Sequence, residues 1–167
     1  MILPIVTTPN LILTTKTAVV TEFDAALHQL LSDMRETMHG ADGLGIAAPQ
    51  VGVSAALCVL EFTDPDGEES IPLTELVNPR ITWRSARTEV DDEACLSIPA
   101  AIGPVRRAVA IKVEAQDRHG EPITLEADGL FARALQHEID HLNGILFTDH
   151  VPSGKLRTRI APSYPTA

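Results

Sequence analysis

The segment His137-Glu138-Ile139-Asp140-His141 holds two histidines and a glutamate within five residues. On a helix, side chains four apart leave one face about 6 Å apart along the axis, so both imidazoles can reach one cation. Glu138 is rotated by roughly 100° from His137. It can approach a water beside that cation from the side, the disposition a general base needs. Leu130 and Ala134 lie seven and three residues before His137. They extend the ligand face as an apolar floor on which a hydrophobic substrate side chain could rest. Histidines satisfied by hydrogen bonds inside a core are the competing explanation. Two histidines flanking an acid at this spacing favour metal over that.

A third ligand has to come from elsewhere. A zinc protease of the long-signature type has a glycine three residues after its second histidine, as Gly144 stands here, and a third histidine three further on, where this chain has Phe147. The candidates are then His150, an acid, or Cys95. Cys95 lies among polar residues in Glu93-Ala94-Cys95-Leu96-Ser97. Joined to two histidines it would make a Cys-His-His site with one open position, the pattern of a catalytic metal. Cys58, inside Leu57-Cys58-Val59-Leu60, reads instead as a small buried hydrophobe.

The run Gly43-Leu44-Gly45-Ile46-Ala47-Ala48-Pro49-Gln50 superficially suggests a dinucleotide loop. Such a loop follows a strand and opens a helix, whereas this one follows a helix and runs into Pro49, which argues against a new helix from Ile46. Its glycines suggest a backbone that something approaches closely, and Gln50 offers an uncharged donor to an oxyanion.

Two helices and a strand-rich middle must carry these groups. Apolar residues at Phe23, Leu27, Leu30, Leu31, Met34 and Met38 predict an amphipathic helix over 22–39, capped by Thr21 or Asp24 and ended by Gly40. Strands are expected at 55–62, 81–90 and 108–116, with a turn at Arg118-His119-Gly120 and a returning antiparallel strand at 123–126. Asp128 is the expected N-cap of a second helix over 130–142, stopped by Asn143-Gly144 in a left-handed cap. Residues 162–167 read as a frayed end.

The chain's 167 residues are one domain's worth, so 1–167 is expected to form a single catalytic domain. Lys and Arg number 13 against 23 Asp and Glu, a net charge of −10. That surface repels phosphate backbones and disfavours direct nucleic-acid binding. Arg106 with Arg107, and Lys155, Arg157 and Arg159, read as solvated faces. Acids gather at Glu61, Asp64, Asp66, Glu68 and Glu69, with Asp66-Gly67 as an exposed turn tip. Two cysteines without a paired framework point to a reducing compartment, the cytoplasm by default, with an organelle left open. The N-terminus has no basic region before its apolar stretch, and 55–60 is far too short to span a bilayer, so neither a signal peptide nor membrane insertion is expected.

Taken in order, Gly43 to Gln50, Glu93 to Ser97 and Gln136 to His141 closely resemble the three signature segments of the peptide deformylase family. The likeness extends to Ile2-Leu3-Pro4-Ile5-Val6 and to 129–151. With the element pattern it implies an α+β fold, antiparallel β-sheets packed around a metal-bearing C-terminal helix, with an N-terminal amphipathic helix. It implies Cys95, His137 and His141 as metal ligands and Glu138 as the acid/base. The Gln50 side chain and the Leu96 N–H would be oxyanion donors, and Gly45 a backbone contact to substrate. Leu44, Ala94, Leu130 and Ala134 would line the substrate pocket. The family usually holds one Fe(II), with nickel or cobalt substituting well and zinc poorly. The implied reaction removes the N-formyl group from the starting methionine of new polypeptides and releases formate. The implied partners are N-formylmethionyl nascent chains. Any ribosome contact would be transient, because no long basic extension follows the metal helix.

One departure stands out. Ala94 replaces the glycine that normally precedes the metal-binding cysteine, and Pro99-Ala100-Ala101 lacks a nearby glycine as well. If that glycine serves positive φ or close approach, the methyl could cost ~1 kcal/mol or narrow the cleft. The alternative function is therefore a homologue with altered substrate preference, or a weakly active formyl-peptide-binding module. A metallopeptidase comes third.

Overall fold

The computed structural model describes residues 1–167. The chain forms α1 (Ala25–Gly40), β1 (Gly45–Ala47), β2 (Leu57–Phe62), β3 (Ile71–Arg84), β4 (Thr88–Cys95), β5 (Ile98–Ala108), β6 (Ala110–Gln116), β7 (Pro122–Asp128), α2 (Gly129–Leu142) and β8 (Arg157–Thr158). Two antiparallel sheets result. The larger runs β1-β2-β3-β6-β7 and the smaller β4-β5-β8. This is the expected α+β class, with α2 carrying both histidines.

The apolar run of β2 shows why the core forms where it does. Leu57 and Val59 join Leu31, Met34 and Met38 of α1, while Cys58 and Leu60 join Ala132, Leu135, Ile139 and Leu142 of α2. Successive strand residues face opposite sides, so a strand buried on both faces must be apolar without alternation. Each large side chain so buried contributes roughly 1.5–3 kcal/mol. One helix packs on each side of β2, and α2 is thereby held rigidly beside the end of β4.

α1 starts where Asp24 Oδ1 accepts from the Leu27 amide at 3.0 Å. α2 ends at Asn143, followed by Gly144 at φ 72°. A side chain at Gly144 would meet Thr14 backbone at 2.7 Å, so close approach as well as conformation requires glycine there. Asp128 sits at the N-cap of α2 in extended conformation, but its side chain makes no capping hydrogen bond.

Several expectations are corrected. The strand expected at 81–90 is the end of β3 and the start of β4, and β3 begins at Ile71, its early half concealed by Pro72 and Pro79. Asn78, at φ 51°, shifts the register between Val77 and Arg80. Its side chain bonds the Val20 amide and carbonyl, which makes the irregularity a built joint. β5 went unread because Pro99, Gly103 and Pro104 look like breakers, yet β5 pairs with β8 only at Ala101 and Ile102, leaving most of that side free of the ladder.

Arg107 is not on a solvated face. It is 6% exposed and bonded to Glu93 and Asp140. Nor are residues 162–167 frayed, since Pro165 O accepts from Ile5 N at 2.9 Å and Ala167 N donates to Ile5 O at 2.8 Å. Of the acidic group, Asp66-Gly67 is an exposed turn, whereas Glu61 is tied to Arg35 and His39 at 2.7 Å each. No helix is long and apolar enough to cross a membrane.

Candidate metal centre

Helical spacing brings the His137 and His141 rings to 5.0 Å between centroids. The tight turn joining β4 to β5 delivers Cys95 to the same point. Its Sγ lies 3.3 Å from His141 Nε2, and one donor atom from each of Cys95, His137 and His141 falls within 4.8 Å of the others. This is the one group of three such side chains in the chain. His150, an open candidate from sequence, instead bonds Asp140 at 2.9 Å. Phe147, in the place of a third histidine, stacks against His137 with ring centroids 6.2 Å apart.

Behind these three side chains stands a buried charged network. Glu93 Oε1 bonds His137 Nδ1 at 2.9 Å, which turns Nε2 toward Cys95 and fixes the ring. Arg107 grips the Glu93 carboxylate through Nε and Nη2, both at 2.9 Å, and reaches Asp140 at 2.6 Å through Nη1. Arg133 adds a bond to Glu93 at 2.8 Å. Burial alone would raise the Glu93 carboxyl, but hydrogen bonds from Arg107 and His137 hold it well below the usual carboxylate range. Removing one partner of such a buried pair typically costs about 3–5 kcal/mol, because a charge is stranded. Neither Arg107 nor Glu93 stood out as a site residue in the sequence. The only available signal was an acid two positions before Cys95.

The donor set fits a soft-to-borderline divalent cation, as one thiolate with two imidazoles does. Burial drives His141 well below its ordinary range, with the neighbouring His137 adding to the effect, so His141 stays in the neutral form that ligates. His137 shifts the other way. Burial opposes charge there, but Cys95 and Glu93 outweigh it. Glu138 Oε2 is buried without a hydrogen-bond partner, an expensive arrangement that a group bound in the pocket would relieve; His141 Nδ1, on the ring edge away from Cys95, is likewise unpartnered.

Glu138 is 5% exposed, and its carboxyl is raised to about 7, chiefly by burial. Gly45 makes room for it. A Cβ at that position would stand 2.7 Å from Glu138 Oε1. Gln50, 1% exposed, sits in the short turn of Ala48–Val51 that follows β1. Its Oε1 accepts from Ala47 N at 2.9 Å, which aims the amide nitrogen at Cys95 Sγ, 3.5 Å away, and at Ser97 Oγ, 3.3 Å away.

These groups open onto a cleft of about 260 Å³. Leu44, Gly45, Gln50, Ala94, Cys95 and Leu96 line one part of it, and Leu130, Ala134, His137 and Glu138 the other. Asp42 and Arg133 also line it, and so does Arg159, which is half-buried here and not on the solvated face expected for it. Ala94 sits where the β4–β5 register shifts, but its φ is not positive, so its methyl bears on cleft shape and not on backbone strain.

Comparison with known proteins gives a consistent result. The family described as polypeptide deformylase matches residues 2–157. A peptide deformylase 1 from Bacillus anthracis is 50% identical over 150 residues, covering 90% of this chain and 92% of the relative. The crystal structure of a peptide deformylase from Synechococcus elongatus in complex with actinonin superposes with a TM-score of 0.84 at 38% identity, covering 91% of this chain and 80% of that one. A Met-Ala-Ser-bound class I type b peptide deformylase from Acinetobacter baumannii gives 0.85 at 34% identity, covering 90% and 99%.

Proposed function

The chain belongs to the polypeptide deformylase family, and we propose that it removes the N-formyl group from the starting methionine of new polypeptides and releases formate. The observation that carries this reading is the buried, unpartnered Glu138 carboxyl, seated against Gly45 beside three ligating side chains.

Cys95, His137 and His141 would hold one divalent ion, which supplies Lewis acidity to a carbonyl oxygen and lowers the pKa of water. Fe(II) is the resident ion in this reading, with nickel or cobalt as effective substitutes and zinc as a poor one. Glu138, whose carboxyl is raised chiefly by burial, takes the proton of the attacking water and later returns it to the departing nitrogen. A carboxyl near the working pH serves both transfers. The Gln50 amide, pre-aimed by Ala47, donates to the oxygen that gains charge as the formyl carbon becomes tetrahedral, and the Leu96 N–H is the second donor. Leu44, Leu130 and Ala134 offer an apolar wall to the methionine side chain, while the backbone of Gly45 meets the peptide. The Acinetobacter enzyme is described as bound to Met-Ala-Ser, which supports a peptide ligand for this chain. Two free cysteines fit a reducing compartment, and we place the enzyme in the cytoplasm on that basis. Altered substrate preference is the second reading, favoured by the Ala94 methyl in the cleft wall.

The test is formate release from formyl-Met-Ala-Ser by anaerobically purified protein. Replacing Glu138 by Gln should retain metal and lower kcat by about 10²–10⁴. Unchanged turnover in that variant would reject the role of Glu138, and absence of formate from the wild type would reject the reading itself.

A further inference from the structure

Beyond Thr158 the chain places Arg159 in the cleft wall and is anchored at both ends. Thr158 pairs with Ala101 and Arg157 with Ile102, and Arg159 N donates to Ala100 O at 2.9 Å. Further on, the Tyr164 hydroxyl donates to Leu96 O at 2.6 Å, and the last residues pair with Ile5. Residues two apart on a strand share a face. Arg157 accordingly pairs with Asp92 on the cleft rim, and Arg159 lines the cleft itself.

The cations near this cleft differ in what they have left to give. Arg107 is spent on Glu93 and Asp140. Arg133 is spent on Glu93 and on the carbonyls of Val105 and Glu89. Arg159 donates Nε to Pro99 O at 3.0 Å and makes no other side-chain hydrogen bond or ion pair. That contact fixes the plane of the guanidinium and leaves its Nη donors uncommitted. The side chain is half-buried in a cleft that Asp42, Asp92 and Glu93 also line, and of the two arginines lining it Arg159 is the one whose Nη donors are not already bonded.

We propose that Arg159 is a substrate-binding residue, whose Nη groups donate to backbone carbonyl oxygens of the peptide beyond the formylated methionine. The proposal rests on the deformylase reading, while Arg159 itself lies beyond the family match, which ends at residue 157. A planar guanidinium already oriented by one bond loses little freedom in making the next. It therefore adds affinity for chain length and has no part in the chemical step.

The experiment compares formyl-Met with formyl-Met-Ala-Ser on the metal-loaded wild type, Arg159→Gln and Arg159→Lys, measuring formate release and thermal midpoints. The wild type should show a lower KM for the longer substrate. In Arg159→Gln its KM for formyl-Met-Ala-Ser should rise about tenfold with kcat within about twofold, the signature of lost uniform binding. Its KM for formyl-Met should stay near that of the wild type. Arg159→Lys should show a smaller change of the same kind, and it decides the matter should Arg159→Gln fail to fold. A length dependence unchanged in the variants, or a loss confined to kcat, would overturn the role of Arg159. Formate release by the wild type is scored separately, so failure of the deformylase reading is distinguishable.

Discussion

Cys58 and Cys95 are the same residue in two settings, both buried and both on strands, at 0% and 3% exposure. Cys58 lies in the middle of β2, packed between apolar side chains of the sheet and α2. Burial pushes its thiol well above the ordinary range, and the charge of Glu138 adds to that. Cys95 lies where β4 ends, with two imidazoles, the Gln50 amide and the edge of the cleft around it. Burial alone therefore does not decide what surrounds a thiol. What separates the two is whether polar partners converge on the sulfur, and here a strand end is the place where they do.

The comparison breaks most visibly through Cys95 itself. Cys95→Ala should leave the folded protein without a stoichiometric metal ion and without formate release, read by metal analysis after anaerobic purification. Retained metal would remove Cys95 from the ligand set. Next comes the donor aimed at that sulfur. Gln50→Ala should lower kcat by about 10²–10³, as loss of one oxyanion donor does, and a loss confined to KM would contradict the assignment. Glu93→Gln sharpens the contrast from behind the site. It should weaken metal affinity by about 10–100-fold through loss of the hold on His137, measured by competition with a chelator. The smallest functional effect belongs to Cys58. Cys58→Ser should leave kcat and metal content unchanged and lower stability by about 1–3 kcal/mol, the cost of a buried hydroxyl without a partner, followed by chemical denaturation.

The same contrast explains what could be read from residue order. His137, Glu138 and His141 were legible because helical geometry is local, and four residues of spacing determine one face. The choice among Cys95, His150 and an acid stayed open on the residues alone, because convergence of β4 with α2 is a matter of tertiary packing. It was the likeness of three ordered segments that singled out Cys95. Arg107 was misread for a related reason. A guanidinium is buried only when carboxylates meet it, and Asp140 lies 33 residues away. Likewise 162–167 gains its order from Ile5, at the far end of the chain. β3 and β5 were obscured by prolines whose missing donors the sheet tolerates at a register shift and beside a short partner strand. α1, β6 and α2 were legible nearly to their ends because their periodicity lies within each segment, with Asp24 capping α1.

If Cys95 and not Cys58 supplies a sulfur ligand, the coordination shell of the ion must show it. X-ray absorption at the edge of the bound metal, in anaerobically purified protein, reads that directly. One sulfur at about 2.3 Å with nitrogen donors at about 2.0–2.1 Å, using distances typical of such ligands, is the predicted shell, unchanged in Cys58→Ser. A shell without sulfur, or one that loses its sulfur in Cys58→Ser, would contradict it.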